Sequence, residues 1–153
     1  MRTDSGAAPA VDTTYSGHMT IRPGPAGLSA ARECVRRVAG ELQIPSEDAA
    51  DLLLAVGEAL SNAYVHGTPD PQVNLIYIGW HFAGEIVTIT IKDEGPGFVP
   101  HEVAGRLTGL AMARGHGLRL MREGADEVYV EFDDGAKVCL RKRVARDRVP
   151  GAN

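Results

Sequence analysis

Three polar side chains recur at intervals of four within an otherwise apolar stretch, GEALSNAYVHG, at residues 57–67. They are Glu58, Asn62 and His66. On a helix, this spacing places the three side chains along one stripe, about one turn apart. A stripe that combines a carboxylate with an amide oxygen is suited to binding a hard cation. The stripe is therefore either an ordinary solvated helix face or one wall of a ligand site.

The charge pattern around this stripe favours the ligand site. The sequence contains no Lys or Arg between Glu47 and His66. Exposed helices usually mix both signs, with acid-to-base pairs at a spacing of four residues. A solvated face still explains the pattern if the stripe is considered alone, and both interpretations stay open at this point.

Two glycine-bearing segments lie downstream of the stripe. In KDEGPGF, Asp93 ends an apolar strand, and Gly95 and Gly97 follow it. In GHGLRLM, Gly115 and Gly117 precede a helical segment. Glycine lets the backbone approach a ligand closely, and the free amides at a helix start bind phosphate oxygens. Each segment alone is also typical of a tight turn or a hinge.

Other nucleotide-binding motifs are missing from the sequence. The pattern G-x-x-x-x-G-K-[ST] does not occur, which excludes a P-loop site. No strand leads through G-x-G-x-x-G into a helix, which disfavours a dinucleotide-binding fold.

The composition is that of one globular domain. The chain has 153 residues, of which 44% are apolar and 24% charged, enough to build a core. The net charge of -4 disfavours a nucleic-acid groove or an anionic membrane surface. The basic stretch RKRVARDR, residues 141–148, is therefore interpreted as a solvated strand end.

The sequence predicts a cytoplasmic protein. No apolar run approaches the roughly 18 residues of a membrane span, and the first residues do not resemble a secretory signal. Cys34 and Cys139 are too few for a disulfide framework, and we expect both to be reduced. The five histidines show no metal-ligand spacing with the cysteines, so structural zinc is not expected.

Periodicity and turn residues predict the elements that position these motifs. We expect an α+β fold: a two-layer sandwich in which a mixed sheet of about five strands carries helices on one face. The domain should span residues 18–145, between a flexible tail at 1–17 and a C-terminal tail at 146–153. The predicted elements are a short edge strand at 18–22, helices at 28–42 and 47–65, a hairpin of strands 73–80 and 86–93, a loop or lid at 99–114, a short helix after Gly117 that ends early because of Gly124, and a hairpin of strands 126–132 and 136–144. Ser46 is the expected cap of the second helix.

Taken together and in order, three segments resemble the motifs of a known fold. EALSNAYVHG is similar to the asparagine box of the GHKL, or Bergerat, ATP-binding fold, DEGPGF to its first glycine box, and GHGLRLM to its second. Histidine kinases, gyrase-type ATPases and bacterial anti-sigma factors share this fold. The similarity spans about residues 19–144. Within the superfamily, the short chain and its last segments, LMREGADEVYVEF and KVCLRKRV, most resemble the anti-sigma factor serine/threonine kinases of partner-switching systems.

The resemblance implies ATP and Mg²⁺ as ligands. It implies that Asn62 binds Mg²⁺ through its side-chain oxygen. It also implies that Glu58 either acts as general base toward a partner's serine hydroxyl or orients a water. Asp93 is implied to accept a hydrogen bond from the adenine amino group.

The glycines have implied roles around the nucleotide. Gly95 and Gly97 would shape the turn beneath the base, and Gly115 and Gly117, with the amide of Leu118, would hold the phosphates. Arg106 and Arg114 either neutralise the terminal phosphate or are solvated loop residues. We expect His66 only to end its helix.

The function implied by the resemblance is that of an anti-sigma factor with ATP- and Mg²⁺-dependent serine/threonine kinase activity. It would sequester an RNA polymerase sigma factor and phosphorylate an anti-sigma factor antagonist. The alternative is a nucleotide-gated protein-binding module of the anti-sigma type without significant phosphotransfer. The family also suggests a homodimer, and neither nucleic acid nor a membrane is an expected partner.

Overall fold

A computed structural model describes residues 14–96, 117–132 and 134–144. These ranges contain five strands and three helices. They are β1 (Tyr15–Ile21), α1 (Pro25–Glu41), α2 (Ser46–His66), β2 (Ile76–Ala83), β3 (Ile86–Lys92), α3 (Gly117–Gly124), β4 (Glu127–Phe132) and β5 (Ala136–Arg143).

The five strands form one sheet in the order β1-β2-β3-β5-β4, and every neighbouring pair is antiparallel. The predicted mixed sheet is therefore wrong. A connection through one helix usually returns the chain to the end of the sheet where the first strand began, so that the two strands are parallel. Here two helices lie between β1 and β2, and β2 begins at the end of the sheet where β1 stops, so the two strands are antiparallel. β3 and β4 do point the same way, but β5 folds back from β4 and lies between them.

One face of the sheet forms the core. Side chains alternate along the central strands, so every second residue is buried. The buried residues of these strands include Ile76, Ile78, Val87, Ile89, Ile91, Val138 and Leu140. The helices cover this face with the buried residues Leu28, Ala31 and Val35 of α1 and Leu52, Val56 and Leu60 of α2. The prediction of an α+β sandwich with helices on one sheet face is confirmed.

The helix boundaries differ in detail from the predictions. Ser46 is the first residue of α2 rather than its cap, because Pro45 occupies the cap position and no side chain caps this end. Glu47 lies in the first turn, as the sequence suggested, where the positive end of the helix dipole favours a carboxylate. The first strand begins at Tyr15, three residues before the predicted domain start at His18.

Both predicted hairpins are confirmed. β2 pairs with β3, and Gly84 in their connection has a φ of 63°. β4 pairs with β5, and Asp134 and Gly135 in that connection have φ values of 49° and 122°. The predicted lid and C-terminal tail lie outside the described residues, as does most of the predicted N-terminal tail. No helix in the described ranges has the length and apolar character needed to cross a membrane.

A glycine determines how closely α3 approaches α2. α3 ends at Gly124, as the sequence predicted, and this residue is buried. A Cβ at Gly124 would lie 2.1 Å from the carbonyl oxygen of Asp51 and 3.0 Å from the Cβ of Ala55. The two helices can therefore pack at this distance only if this position carries no side chain.

We predict opposite effects for two glycine-to-alanine substitutions in helices. Gly124→Ala should destabilise the protein by about 1–3 kcal/mol, because the added methyl group overlaps the backbone of α2. A Cβ at Gly40 in α1 would have no neighbour within 4 Å. Gly40→Ala should therefore stabilise the protein by about 0.5–1 kcal/mol through helix propensity. Urea unfolding of both variants measures these changes. Equal stabilisation by both substitutions would show that the α2–α3 contact is not close.

Candidate functional site

Glu58 and Asn62 lie in the C-terminal half of α2, one turn apart. Both side chains are half-buried, and within the described part of the chain neither forms a hydrogen bond or an ion pair. Half-buried polar groups usually have a partner. These two side chains are therefore available to a ligand.

The helix face that carries them is not simply solvated. Ala55, three residues before Glu58, lies on the same face of α2. It is fully buried beneath α3, next to Gly124. α3 thus covers one flank of the stripe, and Glu58 and Asn62 lie beyond that contact toward the carboxyl end of α2. The stripe forms part of a packed boundary between two helices.

Asp48 and Asp51 lie on the same face of α2 as Glu58, but their surroundings differ from those of Glu58. Lys142 on β5 is buried, with 6% of its surface exposed. Its ammonium group lies 3.8 Å from Asp48 and 3.7 Å from Asp51. The sheet therefore supplies the positive charge that the helix lacks, but only to these two acids. Glu58, further along α2, has no such partner among the described residues.

Asp93 lies immediately after β3 with 6% of its surface exposed. Its carboxylate oxygen Oδ1 accepts a hydrogen bond from the amide of Gly95 at 3.0 Å and another from the amide of Ala136 at 3.0 Å. Both bonds end on the same oxygen. A ligand would therefore be recognised by the other oxygen, Oδ2.

Two glycines bring the end of α2 onto Asp93. A Cβ at Gly67, the residue after α2, would lie 2.1 Å from Oδ2 of Asp93. A Cβ at Gly95 would lie 2.8 Å from the Cα of Gly67 and 3.2 Å from the carbonyl oxygen of His66. The structure thus brings Asn62, which is one turn before His66, to the same end of the molecule as Asp93.

From the sequence, Gly67 is only the residue after His66, where the helix is expected to end. The observation that it also makes room for the carboxylate of Asp93 depends on a packing contact, which no local pattern encodes. Among the other predicted site residues, Gly117 is the first residue of α3 and Leu118 the second. Gly97, Gly115, Arg106 and Arg114 lie outside the described residues.

Glu94 is a further residue that the sequence did not indicate. Its carboxylate accepts hydrogen bonds from the hydroxyl of Tyr77 and, at 2.9 Å, from the amide of Leu75. These bonds lower the pKa of Glu94, and the bond to Glu94 raises the pKa of Tyr77. Glu94 therefore ties the segment that follows α2 to the end of β3, directly beside Asp93.

A metal ion at this site would have few protein ligands. No group of three or more His, Cys, Asp or Glu side chains that could hold a metal occurs among the residues the structure describes. The amide of Asn62, which has no partner in the described ranges, is a suitable single ligand for Mg²⁺, which usually keeps several waters and binds to substrate phosphates. The donor set thus fits a magnesium–nucleotide complex better than a protein-enclosed metal.

Comparison with known proteins gives consistent matches. Residues 21–142 match the family described as histidine kinase-like ATPase domain. The anti-sigma F factor of Geobacillus sp. (strain WCH70) is 30% identical over 126 residues, which cover 78% of this chain and 86% of that protein. The anti-sigma F factor of Thermoanaerobacter sp. (strain X514) is 33% identical over 117 residues, covering 74% and 81%.

A solved structure has a similar fold. The crystal structure of the RsbU and RsbW domains of a Mycobacterium tuberculosis protein superposes with a TM-score of 0.66 at 21% sequence identity. The match covers 86% of this chain and 33% of that longer chain. At this identity, the similarity is one of fold.

We predict a pH-dependent stabilisation by Glu94. Its folded pKa is lowered, chiefly by the bond from Tyr77, so its contribution is present above the unfolded pKa and is lost as the pH falls through the folded pKa. Glu94→Gln should therefore lower the melting temperature at pH 7, and the difference from the unmodified protein should shrink as the pH falls below about 4, near the ordinary glutamate range.

Glu131→Gln, which changes an exposed carboxylate on β4, is the matched control. It should leave the melting temperature nearly unchanged across the same pH range. A Glu94→Gln difference that is constant with pH would show that the carboxylate charge is unimportant there.

Proposed function

The chain belongs to the histidine kinase-like ATPase family, and on this premise we propose that it is an anti-sigma factor with Mg²⁺- and ATP-dependent serine/threonine kinase activity. Its partners would be an RNA polymerase sigma factor, which it sequesters, and an anti-sigma factor antagonist, which it phosphorylates. The names of the relatives support the first partner. The resemblance of the three motifs to partner-switching kinases supports the second.

One observation carries this proposal. Glu58 and Asn62 are half-buried and have no hydrogen-bond or ion-pair partner among the residues the structure describes, and they lie on the helix whose end contacts Asp93. The helix that carries a carboxylate for proton transfer and an amide for the metal thus ends against the acid assigned to the base. In this assignment Asn62 holds Mg²⁺ through its side-chain oxygen. Mg²⁺ held there would supply the neutralisation of charge that phosphoryl transfer requires.

Asp93 would select the nucleotide base. With Oδ1 engaged by two amides, Oδ2 would accept a hydrogen bond from the amino group of adenine. Guanine carries a carbonyl at the corresponding edge, which the carboxylate would repel. Gly95 and Gly97 would shape the turn beneath the base.

The start of α3 would hold the phosphates. Gly115, Gly117 and the amide of Leu118 are assigned to this role, because the free amides and the positive dipole end of a helix favour phosphate oxygens. Phosphoryl transfer depends mainly on positioning and on charge neutralisation. A helix start opposite a metal-binding amide would meet both requirements.

Glu58 would act as the general base. Its carboxylate would accept the proton of a serine or threonine hydroxyl while that oxygen attacks the terminal phosphorus and ADP leaves. Asp48 and Asp51 are less suitable, since Lys142 lies close to both. Glu58 has no basic side chain beside it among the described residues, so it is the best candidate for the base.

Phosphorylation would switch the partner. The phosphoryl group adds about 1.5 to 2 negative charges to the antagonist. The antagonist would then face Glu58 and the acidic first turn of α2 on a chain of net charge -4, and like-charge repulsion should release it. We expect the freed protein to bind the sigma factor as a homodimer in the cytoplasm, through a domain that spans residues 18–145.

A nucleotide-gated binding module without significant phosphotransfer is the second candidate. The relatives are named anti-sigma F factors, a name that fits this alternative as well as the kinase. Asn62 and Asp93 would serve such a module equally well. Glu58 distinguishes the two candidates.

We predict that Glu58→Gln abolishes phosphotransfer but preserves ATP binding. Transfer of labelled phosphate from ATP to the antagonist should fall about 10²- to 10⁴-fold, the usual contribution of a general base. Affinity for MgATP should change little, because Glu58 is not assigned to binding the nucleotide. Glu47→Gln, which makes the same charge change at the exposed start of the same helix, is the control and should retain transfer.

Three other outcomes are informative. Transfer at the normal rate in Glu58→Gln would show that another group is the base. Tight MgATP binding without transfer in the unmodified protein would favour the binding module. No binding of MgATP would contradict both candidates.

We predict that Asn62→Ala removes the magnesium dependence of ATP binding. Calorimetry in the presence of Mg²⁺ should show an affinity about tenfold lower or worse, equivalent to at least about 1.4 kcal/mol. With EDTA, the variant and the unmodified protein should bind ATP equally weakly. Ser61→Ala, adjacent in sequence but about 100° away around the helix, should behave like the unmodified protein. An unchanged magnesium effect in Asn62→Ala would exclude this residue as the ligand.

A further inference from the structure

The connection between β4 and β5 holds the carboxylate of Asp93 in an unusual way. The amide of Asp93 donates to the carbonyl oxygen of Ala136 at 3.0 Å. In return, the amide of Ala136 donates at 3.0 Å to Oδ1 of Asp93, a side-chain oxygen. In a regular antiparallel pair both bonds join backbone groups. The ladder between β3 and β5 is regular as far as the pair Lys92 and Lys137. At the next pair, Asp93 and Ala136, the side-chain carboxylate of Asp93 accepts the hydrogen bond that its backbone carbonyl would accept in a regular ladder.

Gly135 makes this arrangement possible. Its φ is 122°, a conformation that favours glycine. A Cβ at this position would lie 2.1 Å from the carbonyl oxygen of Asp93 and 3.2 Å from Oδ1. Any side chain at residue 135 would therefore push the backbone of Asp93 or its carboxylate out of place. Gly84, in the other hairpin connection, also has a positive φ, but a Cβ at this position would have no other atom within 4 Å.

The carboxylate of Asp93 is held from two sides. The amide of Gly95 reaches Oδ1 from the same segment of chain, and the amide of Ala136 reaches it from a segment 43 residues away. Two donors on one oxygen limit rotation about the bond that joins the carboxylate to the side chain. The direction of Oδ2 is thereby determined by the protein before any ligand binds.

This constraint matters for recognition because base selectivity depends on where Oδ2 points. An acceptor fixed in one direction favours an amino group on the ligand and rejects a carbonyl group there. A carboxylate that can rotate makes room for water between itself and the base, and a water molecule can donate to a carbonyl as easily as it accepts from an amine. Selectivity then falls even though the acid is still present.

We infer that the β4–β5 connection, through Gly135 and the amide of Ala136, is the positioning element that sets the base selectivity of the nucleotide site. Neither residue is assigned a contact with the nucleotide, and both act through Asp93. The connection lies outside the three sequence motifs. The inference rests on the proposed function in that it requires the site to bind ATP.

Gly135→Ala tests this inference through the ratio of affinities for MgATP and MgGTP. Calorimetry or competition with a fluorescent nucleotide should show that the ATP-to-GTP affinity ratio falls about tenfold or more. The fall should come from weaker ATP binding, with GTP binding nearly unchanged. Gly84→Ala is the matched control, a substitution at a positive φ in the other hairpin, and it should retain the ratio.

Two more variants separate positioning from general damage to the fold. Ala136→Pro removes the amide that donates to Oδ1, at the first residue of a strand, where proline is tolerated, and it should lower the ratio in the same direction. Asp93→Asn should lower the ratio by itself. Adding Gly135→Ala to Asp93→Asn should cause no further loss, because both changes act on one group.

An unchanged ratio in folded Gly135→Ala and Ala136→Pro overturns the inference, and so does an equal loss of affinity for both nucleotides. In either case the unmodified protein still binds ATP, so the proposed function stands. Failure of the unmodified protein to bind either nucleotide overturns the proposed function and the inference with it. Thermal unfolding of each variant confirms that the folded protein is being compared.

Discussion

The close approach between the end of α2 and the end of β3 is the contact on which the candidate site depends. Gly67 lies so near Asp93 that a methyl group there would overlap the carboxylate. A helix is stiff over a few turns, so a contact at its end determines where the preceding turns lie. Asn62 and Glu58, one and two turns before His66, are therefore placed relative to Asp93 by a single contact. Any residue larger than glycine would separate the acid from the amide.

α2 is also held at its amino half. Gly124 lets α3 contact the backbone at Asp51, and Lys142 extends from the sheet toward Asp48 and Asp51. The side chains of Glu58 and Asn62 thus lie on a span of helix that is held on both sides. This arrangement suits phosphoryl transfer, in which the reacting groups must be held within a fraction of an ångström. Core packing and site geometry here depend on the same contacts.

Local patterns in the sequence were sufficient for the elements and the motifs, but not for contacts between distant segments. The helical spacing of α2 and the β-branched runs of the two hairpins are local, and they were predicted correctly. The antiparallel pairing of all neighbouring strands was not predicted, because the position of β5 between β3 and β4 depends on packing. Gly67 and Gly135 resemble ordinary turn residues until Asp93 is seen beside them. Lys142 lies 91 residues from Asp51 in sequence, so its counter-charge could not be read from the helix itself.

The surroundings of Glu58 bear on the choice between a kinase and a binding module. A half-buried carboxylate without a partner is less well solvated than one in water, and proteins usually compensate such a group. This fold supplies a buried lysine to Asp48 and Asp51 but no partner within the described residues to Glu58. Nucleotide binding alone would need Asn62 and Asp93, and a neutral residue in place of Glu58 would spare the site additional repulsion of the phosphates. Within the proposed function, a carboxylate at this position is suited to accepting a proton, which is a role that phosphoryl transfer to a hydroxyl requires and nucleotide binding alone does not.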